Sequence, residues 1–255
     1  MSGLTRDRGC LYYIPWIALA GSGLLIGGVV VWVTFANNVY NSTNRGLDVL
    51  GIGALNLSRP RPAYIATAVV YLFWVVVVLA LLLARSFIEA AHDATGLSGA
   101  GSSVWMVLNA IFATGWWLIV AWLVVALMGC TAWAGLLYTI RGAIDYLNNL
   151  YGPQPAVTWL ASDNLPCPGQ CLNLGMFKFL DTSLQNSCVC DYSKLTAARA
   201  EFNEGFRMSV PMLIGNWALL VAGIIIMVNF ACAFSHTKRE KEYIRRLTHK
   251  QFIGF

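Results

Sequence analysis

Cys167-Pro168-Gly169-Gln170-Cys171 and Cys188-Val189-Cys190 gather four cysteines into residues 167–190, the polar stretch between two membrane-length apolar runs. Thiols grouped this way persist as disulfides only in an oxidising compartment. The segment therefore faces the lumen during biosynthesis and the cell exterior afterwards, and every apolar run on either side of it acquires a direction.

The chain around this segment is 58% apolar and 11% charged, with a mean hydropathy of +0.62. Those values belong to an integral membrane protein. A helix needs roughly 20 apolar residues to cross a hydrocarbon core of about 30 Å, and residues 12–35, 64–84, 104–137 and 209–233 meet that length. The predicted fold is all-α: a four-transmembrane-helix bundle with a disulfide-clamped extracellular loop between helices 3 and 4. The remaining segments are an N-terminus (1–11), a first outer loop (36–63), an inner turn (85–103), the cysteine-bearing loop (138–208) and a basic tail (234–255). The third run exceeds one crossing, so it tilts or continues as helix beyond the bilayer. The first is too long for a signal-peptide core and lacks a small-residue cleavage site, so it is expected to stay as an anchor. Glycine stands at position 3 and not 2, outside the myristoylation pattern.

Charge gives the same orientation. Arg6, Arg8 and Arg85, and Lys238, Arg239, Lys241, Arg245, Arg246 and Lys250 of the tail, put both termini in the cytoplasm by the positive-inside rule, against Arg45, Arg59 and Arg61 in the first outer loop. Asn41-Ser42-Thr43 and Asn56-Leu57-Ser58 are glycosylation sequons in that first loop, with Asn41 close to the membrane, where such sites are poorly reached. The expected location is the plasma membrane.

Within the first span, Gly23 and Gly27 form a G-x-x-x-G pair on one helix face. In lipid such a face associates by close backbone approach. The sequence predicts packing against another span of the chain or against a second copy. No Asp, Glu, Lys, Arg or His lies mid-span, and Asn109, Asn216 and Asn229 are the main polar amides. This argues against a proton-coupled transporter or a charge-lined pore. Tyr12, Tyr13, Trp16, Trp32 and Trp122 suit interfacial belts. Trp116-Trp117 lies too deep for a belt and reads as core packing or a lipid-facing surface. Glu89, His92 and Asp93 share a helix face before a Gly/Ser-rich turn, and a solvated helix end is the better reading than a metal or proton site.

Cys188 and Cys190 are too close in sequence to bond each other within normal disulfide geometry, so each needs a distant partner. Two pairings satisfy this: nested (Cys167 with Cys190, Cys171 with Cys188) or crossed (Cys167 with Cys188, Cys171 with Cys190). Closing a loop of this size contributes on the order of 3 kcal/mol. A zinc site is disfavoured by the C-x-x-x-C and C-x-C spacings in an exported loop, and nucleophilic catalysis by the absence of histidine from residues 142–208. No catalytic, cofactor or metal residue is assigned. Cys130 reads as a small packing residue inside the third span. Cys10 and Cys232 flank the cytoplasmic membrane face and are candidates for palmitoylation.

Cys10-Leu-Tyr-Tyr-Ile-Pro15-Trp16-Ile-Ala-Leu19 and the glycine-rich run that follows it resemble the N-terminus of the myelin proteolipid and neuronal membrane glycoprotein family. Cys171-Leu172-Asn173-Leu174-Gly-Met-Phe177 is similar to the family's Cys-x-Asp-Leu-x-x-Phe segment. Phe206-Arg-Met208-Ser209 is similar to its entry into the fourth span, and Leu81-Leu82-Leu83-Ala84-Arg85-Ser86-Phe87 to the end of its second. The resemblance implies the nested pairing, Cys167 with Cys190 and Cys171 with Cys188, and adds weight to acylation at Cys10. The cysteines here are more closely spaced than in the family, and the inner turn lacks its cysteines and basic residues. The Cys-Cys-Gly of tetraspanins, the Trp-Gly-Leu-Trp of claudins and the paired cysteine-bearing loops of connexins do not occur.

The tail from Lys238 to Phe255 interleaves basic residues with Tyr243, Ile244, Leu247 and Phe252, as a segment on an anionic leaflet does. Phe255 offers a weak match to a cytoplasmic PDZ-type groove. A charge of +5 concentrated beside a span does not point to nucleic acid. The sequence thus predicts a non-enzymatic tetraspan that organises membrane or supports adhesion. Its expected partners are membrane lipids, further copies of itself or other membrane proteins. The alternative is an accessory or pore-forming subunit of a channel complex.

Overall fold

The computed structural model describes residues 16–52, 60–95, 100–152, 166–177 and 187–253. Four long helices dominate: α1 (Trp16–Val49), α2 (Pro60–Thr95), α3 (Ala100–Tyr151) and α4 (Tyr192–Ile253). Between α3 and α4 lie two short antiparallel strands, β1 (Leu172–Asn173) and β2 (Cys188–Val189), and a 3-10 turn at Leu174–Phe177. Among the described residues, three helices are long and apolar enough to cross a membrane: Trp16–Val49, Ala110–Tyr151 and Tyr192–Cys232. The described apolar stretch of α2, Ile65–Leu81, is shorter. The all-helical membrane architecture and the disulfide-bearing segment agree with the sequence reading; the described residues show three such helices, and the expected fourth crossing is not among them.

Helix also fills much of what reads as outer loop. α1 runs on to Val49 because Gly51, at φ 79°, closes it with a Schellman motif: Ile52 N–H donates to Leu47 C=O and Gly51 N–H to Asp48 C=O, each at 2.9 Å. α3 ends with the simpler αL cap, Gly152 at φ 61° donating to Asn148 C=O at 3.1 Å. α4 starts where Asp191 Oδ1 accepts the Ser193 N–H at 2.9 Å, a helix N-cap.

The chain divides into two compact units. The first, apolar unit comprises Met1–Val29, Ala68–Ala126 and Asn216–Phe255. Its core holds Leu25, Val75, Val78, Trp116, Leu123, Leu219, Ile226 and Phe230. Backbone carbonyls take part in its packing: Trp116 Nε1–H donates to Gly223 C=O at 2.8 Å, and Tyr71 O–H to Ile119 C=O at 2.9 Å. Trp74 and Phe112 meet edge to face, with ring centroids 5.7 Å apart, and fix α2 to α3. Trp116 is fully buried whereas Trp117 is 58% exposed, so the adjacent pair divides between core and surface.

The second, cysteine unit comprises Val30–Thr67 and Leu127–Gly215. Here α1, α3 and α4 approach closely at glycines. A Cβ on Gly215 would lie 2.8 Å from the backbone nitrogen of Trp32, one on Gly46 2.7 Å from the Phe202 ring, and one on Gly205 3.4 Å from Leu137 and Ser42. Phe202 fills the space Gly46 leaves and is fully buried. Trp133 Nε1–H reaches Thr43 Oγ1 at 3.2 Å, tying α3 to α1.

Candidate functional site

The candidate site is the cysteine lobe and the helix ends that carry it. In the β1–β2 ladder Leu172 stands opposite Val189 and Asn173 opposite Cys188. Carrying that register one step outward puts Cys171 opposite Cys190. Alternate residues of a strand share a face, so Cys188 and Cys190 project together and their sulfurs lie 3.8 Å apart. The bridges are accordingly Cys171–Cys190 and Cys167–Cys188, with Cα–Cα distances of 4.4 and 5.8 Å. The pairing is crossed. The nested pairing implied by family resemblance is corrected: it would need Cys171 opposite Cys188, a register shifted by two residues.

Local sequence chemistry explains this register. Pro168-Gly169-Gln170-Cys171 makes a turn closed by Cys171 N–H to Pro168 C=O at 2.9 Å, which folds Cys167 back toward Cys188. Asn173 Oδ1 accepts the Gly175 N–H at 2.8 Å, an Asx turn that ends β1 and opens the 3-10 turn. Leu174 N–H then donates to Ser187 C=O at 2.9 Å and closes the ladder on its other side. Cys171, Leu172, Leu174 and Val189 are all buried. The lobe thus has apolar anchors as well as bridges.

Cys190 immediately precedes Asp191, the cap of α4, so the covalent ladder passes directly into a helix. In the same unit, α1 and α4 share the Arg45–Glu201 ion pair at 2.9 Å, and Arg45 also reaches Ser42 at 3.3 Å. Asp145 on α3 joins Arg199 of α4 and, at 3.6 Å, Arg141 one turn earlier. Arg141 also lies 6.0 Å from the centroid of the Phe206 ring, which Tyr138 contacts from α3. These pairs are exposed or half-buried and contribute little each; the described surface of the lobe includes Asn173, Gly169 and Pro166.

The Sγ atoms of Cys171, Cys188 and Cys190 lie within 4.8 Å of one another, the compactness of a thiolate metal site. Each is already half of a disulfide, and a disulfide sulfur is not the thiolate ligand a soft metal needs. As paired, the arrangement is a rigid covalent ladder.

The other predicted residues are dispersed. Gly23 and Gly27 are exposed, and among the described residues no atom lies within 4 Å of the position a Cβ would take. The intramolecular contact falls instead at Gly21, against Ile225 and Ile226. Asn41 is exposed on α1, while Ser42 and Thr43 of the same sequon are buried. Cys130 accepts the Trp32 indole N–H at 3.4 Å, in keeping with a packing role, and Cys232 is an exposed free thiol. Asn216 is fully buried and Asn229 half-buried. Cys10, Asn56 and Phe255 lie outside the described residues, as do the side chains of Asn109, Glu89, His92 and Asp93. The helix ends at Gly51, Gly152 and Asp191 were missed by the sequence reading, although glycine after, and aspartate before, a periodic run is a readable signal. No family model matches the chain, and no curated protein or solved structure matches it significantly.

Proposed function

We propose that this chain is a non-enzymatic four-span protein of the plasma membrane, with both termini cytoplasmic, that organises membrane or supports adhesion by presenting the cysteine lobe outside. The observation that carries the proposal is the crossed pair of disulfides continued through Asp191 into α4. The described part of the lobe, residues 166–177 and 187–191, is held by two bridges and leads into a capped helix, and a constrained contact surface lowers the entropic cost of binding. Disulfides also belong to an exported face. The packing of Tyr71 and Trp74 of α2 against α3 supports α2 as the fourth crossing. The exposed Gly23–Gly27 face, with no partner atom nearby among the described residues, supports lateral association with another copy or another membrane protein. The proposal stands without the proteolipid resemblance, whose implied bridges differ from those found.

The test is extraction in native lipid followed by native mass spectrometry, with and without lobe variants in which all four cysteines are serine. Retained protein partners or copies that depend on the bridged lobe are the expected result. A bare monomer in every preparation would sink the proposal, and ion currents from the reconstituted chain would favour the channel reading.

A further inference from the structure

The end of α4 is not used by the outer lobe. Past Phe234 the sequence turns from apolar to charged, yet the backbone stays helical to Ile253. Lys238, Arg239, Lys241, Arg245, Arg246 and Lys250 stand against two acids, Glu240 and Glu242. Because the backbone is helical, spacing assigns these residues to faces. Lys238, Lys241 and Arg245 occupy one strip and Arg239, Arg246 and Lys250 a second. The positions of Tyr243, Ile244 and Leu247 lie in the arc between the strips together with Glu240, Thr248 and Gln251, Phe252 falls within the first basic strip, and Glu242 lies on the opposite side. A mixed arc bordered on both sides by basic strips suits a helix held at a membrane surface chiefly by its charge.

We propose that residues 238–253 form a lipid-binding helix that docks on the anionic leaflet from which α4 emerges. Charge complementarity selects the partner: a basic segment immediately beyond a span is drawn to phosphatidylserine-type headgroups. Tethering selects the leaflet, since the segment is held beside its own bilayer at high effective concentration. Electrostatic range sets the geometry. At about 1.5 Å per residue, a straight continuation carries Arg245, Arg246 and Lys250 roughly 17 to 24 Å beyond Phe234. That is well past a screening length of about 8 Å. Docking therefore brings the tail down toward the headgroups, with Ser235-His236-Thr237, three modest helix formers between the apolar run and the basic strips, as the place that bends.

The experiment uses the full chain in nanodiscs of phosphatidylcholine with or without phosphatidylserine, read by hydrogen exchange of peptides covering residues 238–253. Exchange of the tail should slow about tenfold with phosphatidylserine, revert at high salt, and fail to slow in the combined variant Arg245→Glu, Arg246→Glu, Lys250→Glu. Peptides from the cysteine lobe should be indifferent throughout, which separates this result from the fate of the outer-lobe proposal. Equal tail exchange in the two lipids overturns the proposal, as does slowing that survives charge reversal. Slowing only when phosphatidylserine vesicles are added to phosphatidylcholine discs would also overturn it, in favour of a facing membrane.

Discussion

Trp133 donates its indole N–H to the hydroxyl of Thr43 across 3.2 Å, and that hydroxyl donates in turn to the carbonyl of Val39 at 2.7 Å. Thr43 is buried, so this chain of bonds is sheltered from water. Thr43→Val keeps the shape and leaves the Trp133 N–H without its acceptor, which should cost about 1–2 kcal/mol. Asn41→Gln, at the exposed head of the same sequon, should cost nothing measurable. Thermal unfolding of both variants in one detergent checks the pair. Equal stability would show that the hydroxyl does no packing work.

The crossed bridges make a chemical prediction. Digestion without reduction, after blocking free thiols, should yield Cys167 linked to Cys188 and Cys171 linked to Cys190, since the ladder register puts Cys171 against Cys190. The paired variant Cys171→Ser, Cys190→Ser opens a bridge of sequence separation 19 and should lose about 3 kcal/mol. Recovery of Cys171 linked to Cys188 would mean that the register itself is wrong.

Much of this architecture was legible in the sequence, and the failures have physical causes. Apolar length identifies three crossing helices because burying a backbone in lipid demands uninterrupted helix. Span ends were harder to read. The hydropathy of α1 fades after Phe35, but its helix continues because Gly46, Thr43 and Ser42 pack against α4 and α3, contacts that a linear sequence does not display. Cysteine spacing established that two bridges form, whereas their connectivity depends on strand register, which the Pro168 turn and the Asn173 Asx turn set. The G-x-x-x-G pattern left two occupants open, and among the described residues the contact within the chain falls at Gly21, two positions before it, which meets Ile225 and Ile226.

Glycines separate into two classes that mutation should resolve. A methyl on Gly215 meets the Trp32 backbone nitrogen at 2.8 Å, and backbone cannot rotate aside. Gly215→Ala should force α1 and α4 apart and cost about 1–3 kcal/mol as overpacking. Gly27→Ala adds its methyl to open space and should be neutral or stabilise the monomer by up to about 1 kcal/mol through helix propensity. Denaturant or thermal melts of the two variants compare them directly. A Gly215→Ala protein as stable as Gly27→Ala would refute the close helix crossing.

Asp191 connects the covalent lobe to α4, and its side chain should matter more than the nearby ion pairs. Asp191→Ala removes the acceptor of the Ser193 N–H and should cost about 1 kcal/mol, with increased proteolysis near residue 192. Asp191→Asn retains a capping oxygen and should recover most of that loss. Glu201→Ala breaks the Arg45 pair, whose side chains are 60% and 31% exposed, and should cost less than about 1 kcal/mol. A larger loss in Glu201→Ala than in Asp191→Ala would reverse this ranking.

In the apolar unit, Trp116 offers a test of how a polar contact acts among apolar neighbours. Its ring is fully buried and its Nε1–H donates to the Gly223 carbonyl at 2.8 Å, which already accepts within the α4 helix. Trp116→Phe loses the N–H and part of the ring, so cavity and hydrogen-bond losses combine. Interhelical hydrogen bonds in membrane proteins contribute about 0.6 kcal/mol on average, whereas large-to-small changes in packed cores cost several. Trp116→Phe should therefore cost about 1–2 kcal/mol, most of it from volume, and Trp116→Leu distinctly more. Trp117→Phe, at an exposed position, should stay within about 0.5 kcal/mol of the parent. Unfolding of the three variants in one bilayer mimic decides the matter: if Trp116→Phe and Trp117→Phe were equally mild, the buried ring would not be the anchor that joins α3 to α4.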